Sequence, residues 1–428
     1  MTIHWHLACA VCDATYPGLD RRYRCDCGGV LDVVHDLKRL QGNCDLSTFD
    51  ARLSSKATVD RSGVWRFREL VLPVEEQFMA ARPEGNTNLY DLGSIHPFTG
   101  LCQFSVKHEG ENPTGSFKDR GMTSGVTAAK KLGMQSIAVA STGNTSASAA
   151  AYAARAGMQA YVFIPQGQIA FGKLSQALAY GAKTIQIDGD FDDAMRLVQS
   201  LCADEGIYLL NSVNPFRIEG QKTIGFELLQ DRHWQVPDWI VLPGGNLGNN
   251  TAIAKGLLEL KALNLIQKLP RIAVIQAEGA SPLAAAWSGD GQLRPVQAKT
   301  IATAIKIGNP VSFPKSVRGL KATNGTVITV TDEEILLAKA VVDGAGIGAE
   351  PASCATVAGV KKLVESGVIL PTDDVVGVLT GHVLKDPEVV VNYHMHGQVE
   401  GMVATRQNKP IQTAASLDAI KQALGSKN

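Results

Sequence analysis

A lysine at the start of a helix is the first candidate for chemistry. The run from Glu111 to Gly121 begins as a loop, because Asn-Pro and Thr-Gly interrupt regular structure. Ser116 and Asp119 have the spacing of a helix N-cap, ahead of a helical run from Met122 to Leu132. Lys118 therefore lies in a first helical turn, where the helix dipole disfavours an ammonium ion. An amine that loses its proton easily can form a Schiff base with a carbonyl compound.

A glycine-rich loop could hold a phosphate group. Residues 243–249 read Pro-Gly-Gly-Asn-Leu-Gly-Asn and follow the apolar run Trp239–Leu242. Gly244, Gly245 and Gly248 expose backbone N–H groups where a helix begins, which is a favourable place for a phosphate dianion. The glycine spacing is neither that of a Walker loop nor that of a dinucleotide-binding loop. We therefore predict a phosphate cradle, with a simple tight turn as the alternative.

Three polar loops add directional hydrogen-bonding groups. The loop from Ser141 to Ser146 offers the Asn144 amide and several hydroxyls, and Thr380 offers a hydroxyl to a heteroaromatic nitrogen. The loop from Asn211 to Arg217 sets an arginine beside amides and hydroxyls, which suits an oxyanion. Taken singly, such loops are more often helix caps, turns or surface ion pairs. Together with the lysine and the cradle they match pyridoxal 5′-phosphate, which leaves the arginine for an anionic substrate.

A cysteine-rich segment stands apart at the start of the chain. Cys9 and Cys12 form a C-x-x-C pair, and Cys25 and Cys27 form a C-x-C pair. Four thiolates in two such pairs can close a tetrahedral zinc site, which would stabilise a segment too short for a core of its own. The alternative is a metal-free knuckle held by packing. Residues 1–36 show no catalytic base, so in either case we expect a structural module.

Strands and helices alternate through the remainder of the chain. Alanine- and leucine-rich stretches such as Thr145–Ala156 and Asn250–Leu263 predict helices. Apolar runs predict nine strands, at 103–107, 136–140, 160–164, 184–187, 208–210, 239–242, 272–276, 326–330 and 375–379. This alternation indicates an α/β fold with parallel sheets, in which ligands bind beyond the carboxyl ends of the strands. The polar loops follow such strands, so we expect them to form one site.

Length and charge exclude several classes of protein. At 428 residues the chain is too long to fold around one small hydrophobic core, so we expect at least two domains. Lysine plus arginine equals aspartate plus glutamate at 41 each, so no net field attracts nucleic acid or an anionic membrane. No apolar run could span a bilayer, and the N-terminal residues do not read as a signal peptide. We expect a cytoplasmic protein with reduced cysteines.

Longer motifs give the chain a family resemblance. They lie at residues 113–120, 141–145, 211–215, 217–223, 244–249, 301–305, 308–310, 350–353, 379–382 and 385–386. By these motifs the chain resembles the threonine synthases over nearly its whole length. The threonine synthases are fold type II pyridoxal-phosphate-dependent enzymes with a tryptophan synthase β-like fold. The resemblance implies two parallel-sheet domains after the cysteine module: a large one of residues 37–120 and 216–428, and a small mobile one of residues 121–215.

The resemblance also implies an activity and a set of roles. The reaction would convert O-phospho-L-homoserine and water to L-threonine and phosphate by γ-elimination and β-hydration, in a homodimer that uses pyridoxal 5′-phosphate. Lys118 would be the Schiff-base lysine and proton shuttle. The other cofactor contacts would be Asn144 at the 3′-oxygen, Gly244, Gly245, Asn246, Leu247 and Gly248 at the phosphate, and Thr380 at the pyridine nitrogen. The substrate phosphate would be held by Ser141, Thr142, Thr145, Ser212 and Arg217.

Two departures and two alternatives accompany this interpretation. Asn88 stands where the family usually has proline, and Val383 stands where a glycine usually follows Thr-Gly-His. Neither removes a reacting group, so their expected effect is on loop rigidity.

The nearest alternative function is that of a sister enzyme, such as serine or threonine dehydratase or a cysteine-synthase-like β-replacement enzyme. A non-catalytic paralogue is the other, although Lys118 and both anion sites argue against it.

Overall fold

The computed structural model describes residues 4–91, 93–166, 171–189, 191–204 and 206–425. The chain begins with a small antiparallel sheet. Its strands are β1 (Trp5–Cys9), β2 (Thr15–Pro17) and β3 (Leu31–His35), with β1 in the middle. Alternate side chains of β1 are buried, as expected for a strand with one face on a core. Cys9 is the last residue of β1, and the other three cysteines of the two pairs lie on the connections between the strands.

Twelve strands and seventeen helices in the described part of the chain follow or flank this module. The strands are β4 (Leu89–Asp91), β5 (Gln103–His108), β6 (Ser136–Ala140), β7 (Gln159–Pro165), β8 (Lys183–Ile187), β9 (Tyr208–Leu209), β10 (Trp239–Pro243), β11 (Arg271–Ala277), β12 (Thr326–Val330), β13 (Asp374–Leu379), β14 (Gln398–Val399) and β15 (Met402–Val403). The helices are α1 (Leu37–Leu40), α2 (Leu46–Leu53), α3 (Arg68–Val71), α4 (His96–Thr99), α5 (Lys118–Lys131), α6 (Asn144–Arg155), α7 (Phe171–Ala179), α8 (Phe191–Asp204), α9 (Phe216–Gln221), α10 (Thr223–Asp231), α11 (Gly248–Ala262), α12 (Pro282–Ser288), α13 (Phe313–Ala322), α14 (Asp332–Gly344), α15 (Pro351–Glu365), α16 (Pro387–Val391) and α17 (Leu417–Gly425).

Six strands form the larger sheet, in the order β12-β11-β10-β13-β5-β4. Every neighbouring pair is parallel except β4 and β5. Ile240 and Leu242 of β10 share a core with Leu257 of α11. The alternate residues Trp239 and Val241 belong to the core on the other face, together with side chains of α15. Because helices cover both faces, the central strands are continuous apolar runs, and each large buried side chain contributes about 1.5–3 kcal/mol.

Four strands form the smaller sheet, in the order β8-β7-β6-β9, and all its pairs are parallel. Ile137 and Val139 of β6 share a core with Ala149 of α6. Ala138 faces the other way and shares a core with Val198 of α8. This sheet is therefore also covered by helices on both faces, as parallel sheets require.

The structure confirms the predicted alternation and adds three short strands after the N-terminal module, namely β4, β14 and β15. All nine predicted strands are present, each within one residue of its expected ends. The first of the added strands, β4, begins at Leu89 and pairs antiparallel to β5 at the edge of the larger sheet. A strand of three half-exposed residues has no apolar periodicity to reveal it. Among the described residues, none of the helices has the length and apolar character needed to cross a membrane.

Candidate active site

Three predicted loops leave the larger sheet from neighbouring strands. The Lys118 loop follows β5, the Thr380 loop follows β13 and the glycine-rich loop follows β10. These strands are adjacent and parallel, in the order β10-β13-β5, so their carboxyl ends lie on one edge of the sheet. Parallel sheets bind ligands at that edge. The topology therefore brings the three loops together.

Hydrogen bonds join the Lys118 loop directly to the Thr380 loop. The Phe117 N–H donates to the Thr380 carbonyl oxygen at 3.0 Å, and the His382 N–H donates to the Gly115 carbonyl oxygen at 3.0 Å. Ser116 and Gly381 form an isolated antiparallel bridge between these bonds. Backbone contacts on both sides of the bridge thus hold the start of α5, where Lys118 lies, against the Thr380 loop.

The predicted N-cap at Ser116 was wrong. Helix α5 begins at Lys118 without a side-chain cap, and within the described part of the chain the buried Ser116 Oγ has no hydrogen-bond partner. The Asp119 carboxylate turns inward instead, where it accepts from the Thr114 N–H at 2.7 Å and from the Ser148 hydroxyl at 2.6 Å. These buried donors satisfy the carboxylate better than a cap exposed at the helix end would.

Lys118 has the electrostatics of a reactive amine. The pKa of its ammonium group is lowered to about 7, chiefly by burial and then by the positive charge of Arg217, while Glu350 opposes the shift. Its Nζ lies 4.1 Å from the centre of the Phe117 ring, and no described residue forms a hydrogen bond or ion pair with it. Near neutral pH, a large share of the molecules therefore has a neutral amine at this position.

Ser353 sets the orientation of the Thr380 loop. Its Oγ accepts from the Thr380 N–H at 2.8 Å and from the Gly381 N–H at 2.9 Å, and it lies 3.1 Å from the Thr380 hydroxyl. Thr380 is nearly fully buried. Its hydroxyl therefore has a fixed position from which it can meet one further polar atom.

Glu350 lies among the predicted site residues, although the sequence interpretation gave it no role. It lies just before α15 and does not cap it; its buried carboxylate accepts from the Asn144 side-chain amide at 3.1 and 3.3 Å. The Glu350 N–H donates to the Gly381 carbonyl oxygen at 3.0 Å. Glu350 thus links the start of α6 to the Thr380 loop. An acidic residue directly before a helix-starting proline was the available signal, but nothing in the sequence gave its partner.

The glycine-rich loop has the shape of an anion site. Leu247 has φ 63°, and such a left-handed residue beside a helical turn directs successive N–H groups to one side. A leucine in this conformation costs about 1–2 kcal/mol, a strain of the kind found at binding sites. A Cβ on Gly245 would lie 2.9 Å from Ile305 Cα, and one on Gly244 would collide with Val274. These two glycines let the loop pack on its neighbours, whereas a Cβ on Gly248 would make only ordinary van der Waals contacts.

Arg217 lies at the end of the smaller sheet. Its Nη1 donates to the Leu210 carbonyl oxygen at 3.0 Å, while its Nε is buried without a partner in the described part of the chain. Burial lowers the pKa of this guanidinium to about 10, and no described carboxylate pairs with it. A buried arginine without an acidic partner needs an anion to offset its desolvation. This observation points to a second anion site.

The predicted hydroxyls for this second site follow the neighbouring strands β6 and β9. Asn211 joins the two strand ends, since it accepts from the Ala140 N–H and donates to the Ala140 carbonyl oxygen, both at 2.9 Å. The remaining predicted residues are all partly exposed; they are Ser141, Thr142, Thr145 and Ser212. The structure thus places these hydroxyls and Arg217 around the carboxyl ends of two paired strands.

The two departures from the family pattern have local explanations. The Asn88 N–H donates to Glu111 Oε2 at 2.6 Å, a bond that proline cannot form, and its side chain bonds the other carboxylate oxygen at 3.2 Å. Hydrogen bonds therefore hold this loop in place of a proline ring. The Val383 N–H donates to the Gly348 carbonyl oxygen at 3.1 Å, and a Cβ on Gly348 would lie 3.1 Å from Val383.

The residues present fit pyridoxal 5′-phosphate. Within the described part of the chain, Ser116 Oγ, Asn144 Oδ1 and both polar side-chain atoms of Asn249 are buried without partners, and each lies in or beside one of these loops. Unpaired buried polar groups are rare, so such a group of them indicates a polar ligand. The amine of Lys118 suits the aldehyde of this cofactor, the N–H groups of the glycine-rich loop suit its phosphate, and the Thr380 hydroxyl suits its ring nitrogen.

The four N-terminal cysteines converge away from this site. Cys9 Sγ lies 3.6 Å from Cys27 Sγ, Cys12 Sγ lies 3.5 Å from Cys25 Sγ, and all four sulfur atoms lie within 4.8 Å of one another. A tetrahedral zinc ion with bonds of about 2.3 Å holds its sulfur ligands about 3.8 Å apart. The four thiols therefore have the spacing of a zinc site.

Comparison with known proteins identifies close relatives. Residues 80–381 match the model of the family described as pyridoxal-phosphate dependent enzyme. A threonine synthase of Methanosarcina acetivorans is 45% identical over 427 residues, which cover 99% of each chain. One from Methanocaldococcus jannaschii is 45% identical over 386 residues, which cover 90% of this chain and 93% of the relative.

Solved structures with low sequence identity share the fold. The threonine synthase of Escherichia coli has a TM-score of 0.69 at 18% identity, covering 98% of this chain and 99% of that one. Maize serine racemase has a TM-score of 0.62 at 21% identity, covering 77% of this chain and 94% of that one. Both results agree with the predicted fold class: two sheets of mainly parallel strands after a small cysteine module.

Proposed function

The chain belongs to the threonine synthases within the family of pyridoxal-phosphate-dependent enzymes, and we propose that it converts O-phospho-L-homoserine and water to L-threonine and phosphate. One observation carries the choice of substrate: the buried Arg217 has no described acidic partner and lies close enough to Lys118 to lower the pKa of its amine. A reactive amine and an unpaired guanidinium in one site fit a substrate that carries both an amino acid centre and a phosphate.

The cofactor contacts follow from the three loops. When bound, pyridoxal 5′-phosphate supplies a conjugated ring that accepts the electrons of a broken Cα–H bond. We assign Lys118 to its aldehyde carbon, the N–H groups of residues 244–248 to its phosphate, Asn144 to its 3′-oxygen and Thr380 to its ring nitrogen. The Thr380 hydroxyl would donate a hydrogen bond to that nitrogen, and no described carboxylate bonds to Thr380 Oγ1.

Lys118 also moves the protons of the reaction. The pKa of its ammonium group is about 7 in the ligand-free chain, and a free amine of that basicity would suit a general base. We assign it the α and β protons of the substrate, which must leave before phosphate can depart from the γ carbon. One proton then returns to the γ carbon, water adds its hydroxyl at the β carbon, and one proton returns to the α carbon, so that both protons taken from the substrate are replaced.

Arg217 distinguishes this reaction from that of the sister enzymes. A dehydratase acts on substrates without a phosphate and has no use for a buried, unpaired guanidinium. We assign Arg217, Ser141, Thr142, Thr145 and Ser212 to the substrate phosphate, because all of them lie near the ends of β6 and β9. We further propose that residues 121–215 move as a unit to enclose the substrate.

A direct assay tests the proposed function. The purified holoenzyme is given O-phospho-L-homoserine, and the released phosphate and L-threonine are both measured. We expect the two products in equal amounts. Production of a keto acid from L-serine or L-threonine, without phosphate release from O-phospho-L-homoserine, would favour the dehydratase alternative.

The lowered pKa of Lys118 predicts the pH dependence of cofactor uptake. Only the neutral amine attacks an aldehyde, so the rate at which the apoprotein takes up pyridoxal 5′-phosphate should rise with pH and reach half its maximum near pH 7. A lysine with an ordinary pKa would place this midpoint near 10.4. Stopped-flow absorbance at constant ionic strength measures the rate. A midpoint above about pH 9 would contradict the assignment of Lys118 as a desolvated amine.

We also propose that the four-cysteine cluster holds a structural zinc ion. Its support is the convergence of Cys9, Cys12, Cys25 and Cys27. Metal analysis of the purified protein should find one zinc ion per chain, and Cys12→Ser should remove it and lower the melting temperature. Cys102→Ser, at an exposed single cysteine, is the matched control. Wild-type protein that is free of zinc, yet melts at the same temperature after zinc is added, would refute the site.

By resemblance to the family we propose a homodimer as the working form. Light scattering on the eluting holoenzyme measures the mass against 45.5 kDa for one chain. A mass near that of one chain, at the concentrations used for the activity assay, would exclude the dimer.

A further inference from the structure

The N-terminal module contacts the helix that carries Arg217. His35, the last residue of β3, lies with its Nε2 2.7 Å from Glu219 Oε2 of α9, and both side chains are almost completely buried. Burial and the charge of Lys222 lower the pKa of His35, so its ring is neutral near pH 7 and donates Nε2–H to the carboxylate. The module and α9 are therefore joined by a hydrogen bond to a charged group, the stronger kind.

Two lysines complete the surroundings of Glu219. Lys222 Nζ donates to Glu219 Oε2 at 2.5 Å, and Lys255 of α11 donates both to Glu219 and to the Val33 carbonyl oxygen of β3. Burial alone would raise the pKa of the Glu219 carboxyl, but these cations and His35 hold it well below its ordinary value. Because lysine ammonium groups already surround the carboxylate, this cluster is a set of ion pairs and not a metal site.

Helix geometry places Glu219 and Arg217 on opposite sides of α9. Two residues correspond to about 200° around a helix. Glu219 faces the module, and Arg217 donates to the Leu210 carbonyl oxygen at the end of β9. On a third side, α9 lies directly against α5, since a Cβ on Gly220 would collide with the Arg120 carbonyl oxygen. Helix α9 is thus held between the N-terminal module and the helix that begins with Lys118.

We propose that the N-terminal module is a positioning element for substrate binding: through His35 and Glu219 it fixes α9, and thereby the guanidinium of Arg217. The proposal rests on the proposed function, which assigns Arg217 to the substrate phosphate. It gives the module a part in the affinity for the phosphorylated substrate, beyond a contribution to stability. His35 and Glu219 are positioning residues, because they act through Arg217 and touch no reacting atom.

The test compares His35→Ala, His35→Gln and His6→Ala in the holoenzyme. In His35→Ala, Glu219 loses its tie to the module, so the KM for O-phospho-L-homoserine and the Kd for inorganic phosphate should both rise about tenfold. The kcat should stay within about twofold, and the cofactor absorbance should not change, because the backbone bond from Phe117, next to Lys118, to Thr380 is kept. His35→Gln can still donate to Glu219 and should restore both constants. His6→Ala, at an exposed position of β1, should match the wild type.

Each remaining outcome decides the question. Unchanged KM and phosphate Kd in His35→Ala would overturn the proposal, and so would an equal loss in His35→Ala and His35→Gln, since packing would then be the cause. If His35→Ala does not fold, Lys255→Met tests the same link and should raise the same two constants. Failure of the wild type to release phosphate from O-phospho-L-homoserine refutes the proposed function instead, while the Kd for inorganic phosphate still tests the role of the module.

Discussion

Lys118→Ala is expected to abolish both the cofactor absorbance band and the release of phosphate from O-phospho-L-homoserine. The amine is the proposed attachment point of the cofactor and the proposed base for two protons. Loss of positioned proton transfer alone costs about 10²–10⁴-fold in kcat, and loss of the attachment adds to that cost. Absorbance spectra and a phosphate-release assay over several hours measure the two effects.

Stability provides the internal control for this variant. In the described part of the chain, Lys118 has no hydrogen bond or ion pair to lose, and folding desolvates its ammonium group. The apoprotein of Lys118→Ala should therefore melt at the wild-type temperature or above it, as expected where a site trades stability for activity. Lys131→Ala, at the far end of α5, removes an ion pair with Glu75 and a contact of the ammonium group with the Phe78 ring, and it should keep full activity. Threonine formation at the wild-type rate by Lys118→Ala would refute the assignment.

The strands were predictable because their signal is local. Ser136–Ala140 and Thr326–Val330 are bounded in the structure as predicted, since short apolar runs between polar loops become buried strands of parallel sheets. The meeting of the Lys118, glycine-rich and Thr380 loops was also predictable, because the carboxyl ends of parallel strands share one edge. The sequence pattern and the sheet topology were therefore enough to predict which loops meet at the site.

The polar contacts within the site were not predictable from pattern. Glu350 and Asn144 are 206 residues apart, and no local rule relates them. Arg120 is fully buried between Glu109 and Glu227, at 2.7 and 2.8 Å, although charged residues are usually expected at the surface. The same limit explains the error at Ser116, where a local capping rule was overridden by the buried donors that hold Asp119. Tertiary partners decide where such side chains point.

Arg217→Ala is the second variant with a large expected effect, and it separates the proposed activity from its nearest alternative. Removing one partner of a buried charge-assisted contact costs about 2–5 kcal/mol, so kcat/KM for O-phospho-L-homoserine should fall by about 10²–10³-fold. Arg217→Lys should recover only part of the loss, because an ammonium lacks the planar pair of donors. Arg155→Ala, at an exposed arginine ending α6, should have no effect.

A second readout of Arg217→Ala does not depend on the substrate. Because the charge of Arg217 lowers the pKa of Lys118, its removal should raise that pKa and move the midpoint of cofactor uptake to higher pH. A shifted uptake profile with unchanged kcat/KM would mean that Arg217 tunes the amine without holding the substrate phosphate, and the dehydratase alternative would gain. A shifted profile together with a large loss in kcat/KM is expected only if one guanidinium serves both the reactive amine and the phosphate of the substrate.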